Sequence, residues 1–238
     1  MSYQVVQTVV DPAITNFGLG YPSPDLLPSD LIAKQMTGYM LNEDILQYGY
    51  PQGYRRFREA LSRFIKTMSG RDVDPETLFV SNGNSGALHL VCSMLAKNGD
   101  TVFVEDTSYF IGIKMFQSLG LRVVDVPTQG GGLDFENLEQ QLSNGRVPKL
   151  FYVIPFNHNP RGYNWSEEAK QRLVELSRRY GFYILSDEVY EYLHFSKTHP
   201  YGSFHNYQND WVISLNTFSK ILAPGLRLGW IESNKGVI

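Results

Sequence analysis

The sequence is poor in the features that mark several protein classes. Cys92 is the single cysteine among 238 residues. No internal disulfide can form, and its setting among Leu90, Val91, Met94 and Leu95 marks a small core residue in a chain suited to a reducing compartment. No apolar run approaches the ~18 residues that span a bilayer. The opening MSYQVVQTVVDP also lacks the basic-then-apolar order of an export signal. A cytoplasmic location without a membrane partner is therefore expected. Charge of neither sign dominates: 21 Lys plus Arg stand against 24 Asp plus Glu, a net of −3. The cations are scattered rather than clustered, which argues against nucleic acid as a partner. Repeats and low-complexity tracts are missing too. What remains, 42% hydrophobic and 19% charged residues, is the make-up of a globular protein able to bury a large core.

From about Leu78 onward, short β-rich runs alternate with helix-length amphipathic stretches. TLFVS, Gly86 to Lys97, TVFVE, Phe110 to Leu119 and LRVVDV come first. KLFYVIP, Ser166 to Tyr180, FYILSDE, WVISLNT and LRLGWIE follow. This rhythm predicts βαβ units on a mainly parallel sheet, hence an α/β fold. The helix from about Ser166 to Tyr180 has both ends marked. Ser166 is an N-cap followed by Glu167 and Glu168, and Gly181 is a stop after Arg178 and Arg179. FYVIP and FYILS are near-continuous apolar runs, as expected of strands covered by helices on both faces. Earlier in the chain the pattern differs. Residues 1–28, with Pro12, Pro22, Pro24 and Pro28, predict an extended arm. A helical segment over 29–77 follows, with helices at Ser29 to Leu41 and Tyr54 to Met68, where Phe57, Leu61, Phe64 and Ile65 recur at helical spacing. The large domain then occupies 78–238.

Open α/β sheets bind ligands beyond the carboxyl ends of their strands, which makes the residues after each predicted strand the candidates. After TLFVS, Asn82-Gly83-Asn84-Ser85-Gly86-Ala87 leads into a helix. Small residues there let backbone N–H groups approach an anion, although the same sequence also serves as a plain turn. After FYILS come Asp187, Glu188 and Tyr190. An acid at a strand end either faces water or, when buried, pairs with a protonated ring nitrogen, with Tyr190 close enough to donate to a phenolate oxygen. After KLFYVIP, Asn159-Pro160 opens a turn, and the Asn159 amide is also placed to bond an oxygen of a bound ring. After WVISLNT stand Thr217, Ser219, Lys220 and Arg227. A lone lysine is ordinarily a solvated charge, but two hydroxyls and a guanidinium fork here supply phosphate donors around one amine. Cationic neighbours are expected to lower the charge on Lys220 and leave a nucleophilic amine.

TFSKILAPGLRLGW, SDEVY and NPRG occur in an order and at distances that resemble the fold-type I pyridoxal-phosphate (PLP) enzymes of the class I and II aminotransferase family. The style is that of the 2-aminoadipate and kynurenine aminotransferase branch and of the aminotransferase-like part of MocR-type regulators. The similarity runs from about residue 16 to about residue 232. It implies a three-layer α/β/α large domain, pyridoxal 5′-phosphate as cofactor, amino acid and 2-oxo acid substrates, and a homodimer with shared sites. It further implies that Lys220 carries the cofactor aldehyde as an imine and shuttles the α-proton, while Asp187 keeps the pyridine nitrogen protonated. Asn159 and Tyr190 would bond the ring's 3-oxygen and Tyr109 would stack on the ring. The phosphate would rest on the turn at Gly83, the amides of Asn84 and Ser85, and the side chains of Thr217, Ser219 and Arg227. Tyr48 would reach the phosphate of the neighbouring subunit. Without the resemblance, Tyr48 reads as a loop anchor and Tyr109 as a core tyrosine opening a helix.

The sequence departs from the family pattern in three places. Arg161 stands where Asn-Pro-Thr-Gly is usual, and Thr217 replaces the commoner serine. His158 is given no catalytic role. Family members continue into a small C-terminal domain whose arginine grips the substrate carboxylate, and no residue here matches it. The chain is therefore expected to be C-terminally truncated, to bind PLP weakly and to transaminate little or not at all. Fold and cofactor do not choose a reaction, so a PLP-dependent carbon-sulfur lyase or decarboxylase stays open. So does a non-catalytic PLP-binding regulatory or partner protein.

Overall fold

A computed structural model describes residues 13, 20, 22–39, 46–130, 132–194, 202–207 and 209–238. Most of the expected arm lies outside these residues, as does the end of the first expected helix beyond Tyr39. Two helices come first, α1 (Ser29–Tyr39) and α2 (Arg55–Ser69). The latter buries Leu61 and Ile65 and ends where Gly70 turns left-handed at φ 77°, a conformation that carries no Cβ penalty in glycine. Then follow β1 (Leu78–Asn82), α3 (Gly83–Leu95), β2 (Thr101–Glu105), α4 (Phe110–Ser118) and β3 (Arg122–Val126). A small hairpin, β4 (Thr128–Gln129) and β5 (Gly132–Leu133), leads into α5 (Phe135–Ser143). The chain continues with β6 (Leu150–Val153), α6 (Glu167–Tyr180), β7 (Tyr183–Asp187), β8 (Val212–Thr217) and β9 (Leu228–Glu232).

Among the described residues, seven strands form one sheet in the order β1-β9-β8-β7-β6-β2-β3. Only β9 runs against its neighbours, pairing antiparallel with both β1 and β8. Side chains alternate across the sheet with the strand period of two. Val102, Val104, Tyr152 and Leu185 meet Ala87, Leu88, Val91 and Cys92 of α3 and Phe116 of α4. Phe103, Phe151, Val153 and Ile184 meet Leu138 and Leu142 of α5 and Leu173 and Val174 of α6. Helices thus cover both faces, the α/β/α layering that near-continuous apolar strands require.

The α6 helix has the caps its sequence announces: the Ser166 side chain accepts the Ala169 N–H, and Gly181 closes it at φ 74°. Two elements differ from the sequence expectation. α3 starts at Gly83 rather than Gly86, which puts Asn84 and Ser85 in its first turn, where amides have no partner within the helix. α5 and its hairpin were not expected. The signals for α5 are Asp134, whose side chain accepts the Asn137 N–H at 3.0 Å, and the four-residue spacing of Leu138 and Leu142. Among the described residues no helix is long and apolar enough to cross a membrane.

Candidate active site

The antiparallel direction of β9 creates the site's first pole. Its amino end lies between the carboxyl ends of β1 and β8, with Asn82 opposite Leu228 and Thr217 opposite Gly229. Arg227, just ahead of β9, is therefore delivered to the turn that opens α3. Its guanidinium lies on the bare Cα of Gly83: a Cβ there, where φ is +67°, would meet Arg227 Nη2 at 2.6 Å. Arg227 itself is left-handed at φ 50°, uncommon outside glycine. Gly229 completes the close packing, since a Cβ on it would meet both the Asn216 carbonyl oxygen and the Gly83 carbonyl carbon at 2.8 Å. Beside them Thr217 Oγ1 sits 2.9 Å from Ser219 Oγ, accepts the Ser219 N–H and donates to the Leu228 carbonyl at 2.8 Å. Hydroxyls, a guanidinium and first-turn amides converge here, a donor set for a dianionic phosphate.

The second pole is Asp187, at the carboxyl end of β7 and buried. Its Oδ2 accepts a 2.6 Å hydrogen bond from Tyr152 Oη, while its Oδ1 has no partner. Burial pushes its carboxyl up to about 6, against the pull of the Tyr152 hydroxyl and the nearby Asn84 amide. Burial, followed by the charge of Asp187, raises both Tyr109 and Tyr190, so their hydroxyls share its surroundings. Asn159 Nδ2 reaches Tyr190 Oη at 3.5 Å. Lys220 lies within the field of the same carboxylate and donates to the Gly20 carbonyl at 2.6 Å. Its amine is held below the usual lysine range by burial, with Asp187 opposing. The direction matches the sequence expectation but the cause does not: partial burial removes some of the amine's water, whereas the guanidinium of Arg227 is turned onto Gly83.

The structure thus gathers Lys220, Asp187, Tyr190, Asn159 and Tyr109 at one pole, and Gly83, Thr217, Ser219 and Arg227 at the other. Asn84, beside both, has a buried and unpartnered Oδ1. Tyr48 joins neither pole and is fully exposed. Arg161, a departure from the family pattern, ties the Asn159 loop to the loop preceding Tyr109 through Asp106 Oδ1 at 2.9 Å and Thr107 Oγ1 at 2.7 Å. His158 is structural: it stacks on Tyr163 at 4.6 Å, with Nε2 3.0 Å from the buried Glu105.

Sequence reasoning missed Tyr152. It is the one phenol among the four residues of β6, LFYV, and it reaches Asp187 because β6 and β7 are parallel with Tyr152 opposite Leu185. A polar hydroxyl in an otherwise apolar strand was the available signal.

The family model described as aminotransferase class I and II matches residues 14–238. An uncharacterized aminotransferase of Saccharolobus solfataricus is 32% identical over 225 residues, covering 92% of this chain and 56% of its own length. An uncharacterized HTH-type transcriptional regulator of Bacillus subtilis is 30% identical over 220 residues, covering 92% of this chain and 45% of the regulator. Among solved structures, the α-aminoadipate aminotransferase of Thermus thermophilus, complexed with N-(5′-phosphopyridoxyl)-L-leucine, superposes with a TM-score of 0.82 at 29% identity, over 92% of this chain and 56% of that one. The chain spans about half the length of the relatives it matches. Strand-end chemistry, sheet order and a match over nearly the whole chain agree: the protein belongs to the class I and II aminotransferase family.

Proposed function

We propose that the chain is the cofactor-binding part of a PLP-dependent aminotransferase that moves an amino group between an amino acid and a 2-oxo acid. The observation that carries this reading is the unpartnered, buried Oδ1 of Asp187 in the surroundings of Lys220. Buried polar atoms are rarely left without a partner, and a protonated pyridine nitrogen is the partner this oxygen lacks. The donor set around Gly83 suits the phosphate at the other end of the same molecule.

In this reading Asp187 holds the ring nitrogen in its charged form, Asn159 and Tyr190 bond the 3-oxygen, and Tyr109 covers the ring. The amides of Asn84 and Ser85 with Thr217, Ser219 and Arg227 hold the phosphate. Lys220 is the covalent anchor and, once displaced by substrate, the base that takes the proton from the substrate's α-carbon. Burial of its amine favours that role, because a neutral amine is the reactive form. When bound, the cofactor supplies an electron sink for the pair left at that carbon.

Dimerisation and a cytoplasmic location belong to the same proposal. Tyr48 is fully exposed between Leu46 and Tyr50, themselves 71% and 68% exposed, and α1 buries none of its side chains. Those exposed apolar groups suit a second copy, whose phosphate Tyr48 would then reach.

The test is absorbance. Added PLP should give a visible-range band that Lys220→Ala loses entirely; a band that survives the substitution overturns the proposal. A second reading, a PLP-binding regulatory module, is favoured by the similarity to the HTH-type regulator. Release of a 2-oxo acid from any of a panel of amino acids, lost with the band in Lys220→Ala, would favour transamination over it.

A further inference from the structure

One buried residue on β8 meets both halves of the phosphate cradle, through its side chain and its backbone carbonyl, and has no role in the reading above. Asn216 accepts the Thr217 N–H on Oδ1 at 2.9 Å and donates from Nδ2 to Glu191 Oε2 at 3.0 Å. Its backbone carbonyl is the oxygen that Gly229 approaches, and Gly229 in turn packs on Gly83. A continuous line therefore runs from Glu191 through Asn216 to Thr217 and on to Ser219. Displacing Asn216 would disturb both the hydroxyl pair and the turn beneath Arg227. Glu191 is as buried as Asn216, and the turn that carries it follows directly from Asp187, with its N–H on the Glu188 carbonyl at 2.9 Å.

We propose that Glu191 is a positioning residue for the phosphate end of the site, acting through Asn216 on Thr217 and Ser219. The inference rests on the reading of those two hydroxyls as phosphate donors.

The groups facing Glu191 explain why a carboxyl serves here. Glu188 comes from its own turn, Glu232 from the end of β9, Arg71 from the segment after α2, and Tyr192 is the next residue. Arg71 is engaged with Glu232 through both ends of its guanidinium, Nη2 to Oε2 at 2.8 Å, and His205 Nε2 lies 2.8 Å from the Glu232 carbonyl. Burial, then the charge of Glu188, pushes Glu191 above the usual carboxyl range, with Arg71 opposing. The upward push favours the neutral carboxyl, which still accepts from the Asn216 amide.

The experiment compares two ligands that differ only in the phosphate. The purified protein is titrated with PLP and, separately, with pyridoxal, and the Lys220-dependent visible absorbance is read. Glu191→Ala should lower PLP affinity about 5- to 10-fold while leaving pyridoxal affinity within about 2-fold. Glu191→Gln retains an acceptor and should leave both affinities unchanged. An unchanged ratio in Glu191→Ala, or an equal loss for both ligands, overturns the inference, and so does a ~10-fold loss of PLP affinity in Glu191→Gln. Should Glu191→Ala not fold, Asn216→Ser tests the same hydrogen bond from its other end, with the same expected and overturning results. If the unaltered protein gives no Lys220-dependent band, the cofactor reading fails and this inference with it. A band with an unaltered ratio sinks only the role of Glu191.

Discussion

Asp187 and Glu188 are adjacent, acidic and buried, at 3% and 1% exposure, yet they are opposites. Glu188 is complete: Oε1 accepts Ser186 Oγ at 2.9 Å, Ser214 Oγ at 3.1 Å and the Phe204 N–H at 3.3 Å, and Oε2 accepts Ser203 Oγ at 2.8 Å. Asp187 has Tyr152 on one oxygen and nothing on the other. The pleat separates them, because Asp187 shares the face of Leu185, toward α3 and α4, while Glu188 turns to the Ser186 and Ser214 side. A carboxylate that satisfies itself holds a fold together. One that does not keeps an acceptor to offer.

The largest expected effect sharpens that contrast in activity. Asp187→Ala should cut turnover by about 10³-fold while reducing PLP occupancy far less, because the ring's charge matters most in the transition state. Equal losses in turnover and occupancy would reduce Asp187 to a binding residue. Glu188→Ala should act on stability instead. It strands three hydroxyls and an amide N–H without an acceptor, so urea unfolding should show a loss of roughly 3 kcal/mol or more. A loss below about 1 kcal/mol would break the comparison.

Asp187→Asn should do the reverse in the cofactor-free protein. The carboxyl titrates near 3.8 when unfolded and at about 6 when folded. The folded state thus binds the extra proton, and stability falls as pH rises between those two values and is level above them. The substitution removes that fall. It should stabilise the cofactor-free protein at pH 7 by on the order of 2–3 kcal/mol and change little at low pH. A destabilised variant at pH 7 would mean that Oδ1 of the carboxylate already has a partner.

What the sequence disclosed, and what it did not, follows the same division. Lys220, Asp187 and Asn159 were legible because a strand end followed by a chemically distinctive residue is local information, and α6 because both of its caps are written beside it. The delivery of Arg227 onto Gly83 was not, since LRLGWIE reads the same whether its strand runs with or against the sheet. α5 was hidden by its shortness and the glycines ahead of it. Tyr152 was hidden by burial: within LFYV an aromatic reads as core, and only the pairing of β6 with β7 turns its hydroxyl into a ligand of Asp187.

That hydroxyl offers the subtlest test. Burial and the Asp187 charge hold the Tyr152 phenol far above its usual ionisation range, so it remains a neutral donor and stabilises the charged form of Asp187. Tyr152→Phe removes one buried donor, which is worth about 1–2 kcal/mol when it serves a charged group. The folded carboxyl should therefore move above its present value of about 6. In the cofactor-free protein the decline of stability with rising pH should then continue roughly one pH unit further before levelling, since one unit corresponds to about 1.4 kcal/mol. If unfolding midpoints across pH 4 to about 8 superimpose for the two proteins, Tyr152 does not hold the charge. The half-satisfied state of Asp187 would then rest on burial alone.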